Sequence, residues 1–187
     1  MQRRELLKLI SLATGSAIIG GEFLLTGCNN PNAQSGIIFS DADIKFLDEI
    51  AETILPKTKT PGAKDAAVGK LMALIVQDCY ESKDQNIFRD GIKKLDEACN
   101  KSFQNSFLKT KKENRVALLT DLDKESKLYN KSKSKDEANH YFTMMKQLTL
   151  FGYFTSKPAL TEAFNYQSVP GKYDGAFPYK KGDKLFI

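Results

Sequence analysis

The sequence is poor in the residues from which most active sites are built. Its 187 residues include one histidine and three cysteines. A zinc site needs three or four ligands, and no cysteine–histidine cluster supplies them. There is no Cys-x-x-Cys-His segment, so no c-type haem is attached. Cys79 and Cys99 cannot hold an iron–sulfur cluster by themselves. No P-loop and no Gly-x-Ser-x-Gly turn occur. Gly15, Gly20 and Gly21 lie in an apolar N-terminal segment with no strand before it, which excludes a dinucleotide fingerprint. The lone His140 is expected on the polar side of a helix's first turn, as a surface residue. Sustained alternation of apolar and polar residues is missing throughout, and with it any sign of a half-buried strand. No internal repeat is visible. The acidic pairs Asp41/Asp43 and Asp121/Asp123 are expected at a helix start or on solvated faces. Stabilising a helix N-terminus accounts for the first pair without catalysis.

What is present suits one ordinary helical domain. Hydrophobic residues make up 41% and charged residues 27% of the chain, as in soluble globular proteins. The net charge of +5 is modest. The densest lysine run, 124–135, is rich in Ser and Asn and has no aromatic platform. It predicts a solvated linker and not a nucleic-acid patch.

The N-terminus carries an address. Arg3-Arg4 followed by Leu6-Leu7-Lys8 resembles a twin-arginine export signal. Leu25-Thr26-Gly27-Cys28 resembles the lipobox of bacterial lipoproteins, in which the cysteine is lipidated and becomes the first mature residue. The apolar stretch between them is broken by Ser11, Thr14, Gly15, Gly20, Gly21 and Glu22. That is too interrupted for a span of about 20 apolar residues and fits a processed signal. The expected organisation is a cleaved signal at 1–27, a polar tether at 28–38 and a single helical domain with an extended tail at 39–187. The expected location is the periplasmic face of a bacterial membrane, held by a lipid on Cys28.

Ser40 and Asp43 predict a capped helix start, with Phe39 and Ile44 in the two positions of a hydrophobic staple. Ile44, Leu47, Ile50, Ala51 and Ile54 recur at helical spacing until Pro56 stops the helix near Leu55. A Pro/Gly turn at 58–63 precedes a second helix over about 66–80, with Val68, Leu71, Met72, Ile75 and Cys79 buried. A third carries Phe88, Ile92, Leu95, Cys99 and Phe103. Thr110 and Glu113 predict a capping box for a fourth, with Val116, Leu119 and Leu122 inward. A fifth, over about 136–155, is apolar almost all round, and such a helix is central or covered by a partner. A short sixth covers about 158–164. The fold class is therefore all-α, an irregular bundle of five or six helices with an extended C-terminal tail. Cys79 and Cys99, on the order of 15 Å out of register across a hairpin at 1.5 Å per residue, are expected as two buried free thiols.

Two blocks then resemble a known family. Phe39-Ser40-Asp41, Ile54-Leu55-Pro56, Thr60-Pro61-Gly62-Ala63 and Val68 form the first. Residues 148–156 (Leu-Thr-Leu-Phe-Gly-Tyr-Phe-Thr-Ser), Tyr166 and Val169-Pro170-Gly171-Lys172-Tyr173 form the second. In this order, behind a twin-arginine-like signal, they resemble the gluconate 2-dehydrogenase subunit 3 family. The resemblance implies a small non-catalytic subunit that assists folding and export of a large flavin dehydrogenase of the GMC type, which oxidises a sugar, sugar acid or polyol. FAD is then expected in that partner and no cofactor in this chain. A cytochrome c subunit is an optional electron acceptor. The lipobox departs from the family pattern and would make this subunit itself a membrane anchor. Partner contact is carried onto Tyr153, Phe154, Ser156, Pro170, Gly171 and Tyr173. The competing expectation is a stand-alone lipoprotein holding a small apolar ligand in a closed cavity between helices. An enzyme in its own right is the weakest, for want of a clustered nucleophile, base or metal set.

Overall fold

The computed structural model describes residues 38–169, 171–172 and 174–187. Arg3, Arg4, Cys28, Pro170 and Tyr173 lie outside the described residues. Within them the chain is all-α, as expected: five α-helices, a 3-10 turn and a short π-helical turn, with no strand.

Helix α1 (Asp41–Ile54) starts on the predicted box. Ser40 Oγ accepts from the Asp43 N–H at 3.2 Å, and the Ser40 N–H donates back to Asp43 Oδ2 at 2.9 Å. Phe39 is buried and meets the Phe88 ring edge-on at 6.0 Å. Helix α2 (Val68–Cys79) has no cap of its own, because Ala67 stands before it with φ +50°. Asp48 of α1 fills that role, with Oδ1 accepting from the Gly69 N–H at 2.9 Å. Burial raises the Asp48 carboxyl above its ordinary range, against the lowering pull of that hydrogen bond. Helix α3 (Ser82–Phe103) buries Phe88, Ile92, Leu95 and Cys99 in the predicted stripe. Its Gln85 amide donates to the Gln77 and Tyr80 carbonyls at the end of α2, groups that no helical partner reaches.

Helix α4 (Lys112–Ser132) corrects three expectations. It does not use the predicted Thr110–Glu113 box. Thr110 Oγ1 donates to the Ser106 carbonyl at 3.0 Å and lies 3.2 Å from Cys99 Sγ, so it is engaged by the preceding 3-10 turn (Phe107–Lys109). The helix also continues through most of the lysine-rich run expected as a linker. Lys and Glu are good helix formers. Ser126 is buried there, and Asn130 bonds forward to Thr143 Oγ1 (2.7 Å) and the His140 N–H (3.2 Å). Asp123 pairs with Lys127 one turn on and with Lys146 of the next helix. Val116, expected inward, is exposed.

Helix α5 (Tyr141–Phe154) is the centre, packed against all four other helices. It begins at 141 and not near 136, because His140 is its N-cap: the ring Nδ1 accepts from the Phe142 N–H at 3.2 Å. Burial lowers the pKa of this imidazole, which suits an acceptor nitrogen. The predicted sixth helix is the π-helical turn Ala159–Ala163. The tail has no helix, and folds back so that Asn165 and Gln167 donate to the carbonyls of Leu185 (2.9 Å) and Ile187 (3.1 Å). Cys79 and Cys99 are both free, but only Cys99 is buried, against the expectation of two buried thiols. The buried line of α2 runs Val68, Met72, Val76 and continues to half-buried Tyr80, so Cys79 falls off it.

Candidate functional site

One end of the bundle gathers the later part of the first sequence block, from Ile54 to Val68, and the helical part of the second, joined through Pro61 and Tyr153, which stand 92 residues apart. It is built from the C-terminal half of α1, the loop after it, the end of α5, the π turn and the tail.

The loop is fixed by carboxylates. Glu52 Oε1 accepts from the Lys57 N–H at 2.8 Å, and its Oε2 from the Lys64 N–H at 3.0 Å. Asp65 Oδ2 accepts from the Gly62 N–H at 3.0 Å, and the Ala63 N–H returns to the Leu55 carbonyl at 3.0 Å. A Cβ on Gly62 would lie 2.5 Å from the Glu52 carboxylate and 2.6 Å from the Lys57 nitrogen, so only glycine fits. Pro61, Gly62 and Ala63 are buried, while Thr58 and Lys59 stand out at the tip. Tyr153 closes the arrangement: its hydroxyl donates to the Pro61 carbonyl at 2.7 Å. Gly152, beside it, faces Val68 and Leu71 of α2 at the close range of a helix contact.

Beneath the loop, Glu49 accepts from Lys64 and from Arg115, the latter at 2.6 Å. Burial alone would raise the Glu49 carboxyl, but the two cations hold it below its ordinary value of 4.5. A carboxyl with a lowered folded pKa stabilises fully above its unfolded value, and that stability is lost as pH falls through the folded value. Glu49→Gln is therefore expected to cost about 1–2 kcal/mol at neutral pH, the range for charge-assisted hydrogen bonds discounted for partial exposure. Urea unfolding of wild type and variant at pH 7 and near pH 3.5 checks this. The gap should narrow at the acid end, and an equal gap at both would refute the ionic role. Asp48, whose carboxyl is raised, works in the opposite sense, so the comparison is made between the two proteins at each pH.

Past α5 the surface becomes aromatic. Ser156 Oγ donates to the Tyr153 carbonyl at 2.7 Å and accepts from the Ala159 N–H at 3.3 Å, turning the chain into the π turn. Phe154, 45% exposed, lies 5.4 Å from the Phe164 ring. Asn165 bridges to Phe186, whose ring meets Phe177 at 5.1 Å. A hollow of about 500 Å³ is lined by Leu160, Phe164, Tyr166 and Phe186. Another of about 420 Å³ shares Asn165 and Phe186 with it and adds Phe177 and Tyr179. Phe151, Tyr166, Phe177, Tyr179 and Phe186 are each more than half exposed.

The residues singled out for partner contact thus fall into different places. Tyr153 is buried and holds the loop. Ser156 shapes the turn. Phe154 is on the aromatic surface. Gly171 is exposed, with nothing within 4 Å of where a side chain would begin. Sequence reasoning missed Glu49, Glu52, Asp65 and Arg115. The signal for the first two was the spacing of acids on the last turns of α1, just before a Pro/Gly loop with free N–H groups. Among the described residues no group of three His, Cys, Asp or Glu is placed to hold a metal ion, and no helix is long and apolar enough to cross a membrane.

A family model described as gluconate 2-dehydrogenase subunit 3 matches residues 41–171, more than half of the chain. No curated protein and no solved structure gives a match.

Proposed function

Because the chain belongs to the gluconate 2-dehydrogenase subunit 3 family, we propose that it is the non-catalytic small subunit of a dehydrogenase complex. Its partner is a large FAD-dependent GMC-type subunit that oxidises a sugar, sugar acid or polyol. The small subunit assists folding and export of that partner and attaches it to the periplasmic face of the membrane through a lipid on Cys28. FAD and the chemistry reside in the partner, and a cytochrome c subunit is a candidate electron acceptor.

One observation carries this reading. Residues 54–68 of the first block and 148–166 of the second meet at one end of the bundle, joined by the Tyr153–Pro61 hydrogen bond, and present exposed aromatic rings. Scattered exposed apolar residues need no explanation, whereas contiguous ones mark interaction sites. A subunit whose family residues held a substrate would instead converge them on polar, titratable groups in a cleft.

The test is an affinity pull-down of the tagged full-length chain from gently solubilised native membranes. The eluate is scanned for flavin absorbance and assayed for sugar-dependent dye reduction. A stoichiometric, larger, yellow partner is the expected result. A colourless solitary chain would sink the accessory role and bring forward the stand-alone lipoprotein. The groove between α1, α4 and α5, about 260 Å³ and lined by Ile54, Val116, Leu119 and Phe142, is then where a small ligand would be sought.

A further inference from the structure

Resting on the accessory-subunit reading, we propose that the large flavoprotein subunit docks on the aromatic end of the domain, over Phe154, Phe164, Tyr166, Phe177 and Phe186. The large subunit is then held at the end of the domain opposite to the one where the described chain enters it.

The surface is continuous. Phe154 stacks toward Phe164, the chain passes directly to Asn165, Asn165 bridges to Phe186, and Phe186 meets Phe177. The two hollows along this line share a wall; a protruding side chain of a partner finds a mainly apolar seat in the one beside Phe177 and a mixed seat, with Thr161 and Gln167, in the other. Aromatic rings in such seats are the usual centres of protein–protein binding energy.

The place where the chain enters the domain selects a protein over a lipid surface. The described chain begins at Ile38, whose carbonyl accepts from Arg89 at 3.1 Å, beside the Phe39–Phe88 contact. That is the N-terminal end of α1. The loop held by Tyr153, and with it the π turn, lies at the other end: Pro158 and Glu162 share a hollow with Thr58 and Pro61. The 14 residues of α1 separate the two ends by about 21 Å at 1.5 Å per residue. The ten Cα–Cα steps from Cys28 to Ile38 span at most ~36 Å fully extended. Seating the aromatic end on the bilayer would use more than half of that reach to run back along the domain. Lys184, which lines one hollow, suits an anionic lipid as well as an acidic protein rim, so charge does not decide and the entry end does.

The test uses the full-length tagged chain in its native cells, with Phe154→Glu and Phe186→Glu, and with Leu128→Glu as control. Leu128 is exposed and lies on α4 beside Tyr129, which meets His140 at the far end of α5. Three quantities are read: flavin-bearing large chain recovered per tagged chain, sugar-dependent dye reduction, and the membrane-bound fraction of the tagged chain. Each aromatic variant should lower flavoprotein recovery by at least ~10-fold, as loss of an interface anchor does. Leu128→Glu should stay near wild type, and membrane association should be unchanged in all. A photo-crosslinking residue placed at Tyr166 keeps the test independent of how well the variants fold, and should join the tagged chain to the flavin-bearing one. Loss of membrane binding with flavoprotein retained would assign the surface to lipid. A tagged-to-tagged crosslink would assign it to a second copy. Full retention in both variants would remove it as an interface. Each of these overturns the docking assignment while leaving the accessory role standing. A wild type that recovers no flavoprotein overturns the accessory role itself.

Discussion

Phe107→Ala is expected to be the most damaging single substitution in the core, at about 3–5 kcal/mol, the range for deleting a buried phenyl ring. The residue sits on a 3-10 turn of three residues and is fully buried. Its ring packs against Phe46 at 5.4 Å, and the Arg115 guanidinium lies over it at 5.2 Å. Alanine removes both contacts and leaves Arg115 facing a void, although its Nε is already buried without a hydrogen-bond partner. Arg115 also holds Glu49 and the Leu108 carbonyl, so the loss spreads toward the loop-bearing end. Thermal unfolding should fall by roughly 6–20 °C, at 2–4 °C per kcal/mol for a domain of this size. Phe107→Leu keeps most of the volume and should cost less than ~1.5 kcal/mol. If the two variants melt alike, the ring is not the anchor described.

Gly69→Ala separates packing from propensity. Alanine is favoured over glycine in a helix by about 1 kcal/mol, so propensity alone makes the change stabilising. The structure reverses the sign. A Cβ at position 69 would stand 2.5 Å from Asp48 Oδ1 and 2.6 Å from the Asp48 backbone nitrogen. The carboxylate could swing away only by giving up the hydrogen bond that caps α2. The backbone nitrogen moves only if α1 and α2 separate. A net loss of about 1–3 kcal/mol is expected, as for other overpacked sites. Calorimetry on three variants decides the matter. Gly171→Ala, in open space, should be nearly silent. Gly69→Ala should be destabilised. Asp48→Ala combined with Gly69→Ala should remain destabilised, because the main-chain contact persists. A rescued double variant would place the strain in the side chain alone.

Part of this architecture was legible in the residues and part was not, for physical reasons. The start of α1 could be read because a capping box is local: both partners lie within four residues. The stripe of α3 could be read because four buried apolar residues on a long polar helix leave one phase. The far half of α4 could not, since a solvated helix and a solvated linker share a composition. What decides between them is Asn130, bonded to residues 10 and 13 positions away. The Thr110–Glu113 pattern misled because Thr110 has a stronger claim behind it, at Ser106 and Cys99. For the site, both blocks were visible, but their meeting was not. Nothing local marks Tyr153 as the donor to Pro61, and an aromatic at the end of an apolar helix looks the same whether it faces a loop or a partner.

The Tyr153–Pro61 bond also sets an order in time. On a ribosome that has reached only the start of α5, the loop at 57–67 already exists as sequence, but the ring that secures it has yet to be made. The aromatic end is thus the last part of the domain to take shape, and a shortened chain cannot imitate it. A partner that grips this end is gripping a certificate that α5 and the residues after it have been made. A chain stopped before α5 lacks that end and offers such a partner nothing to hold.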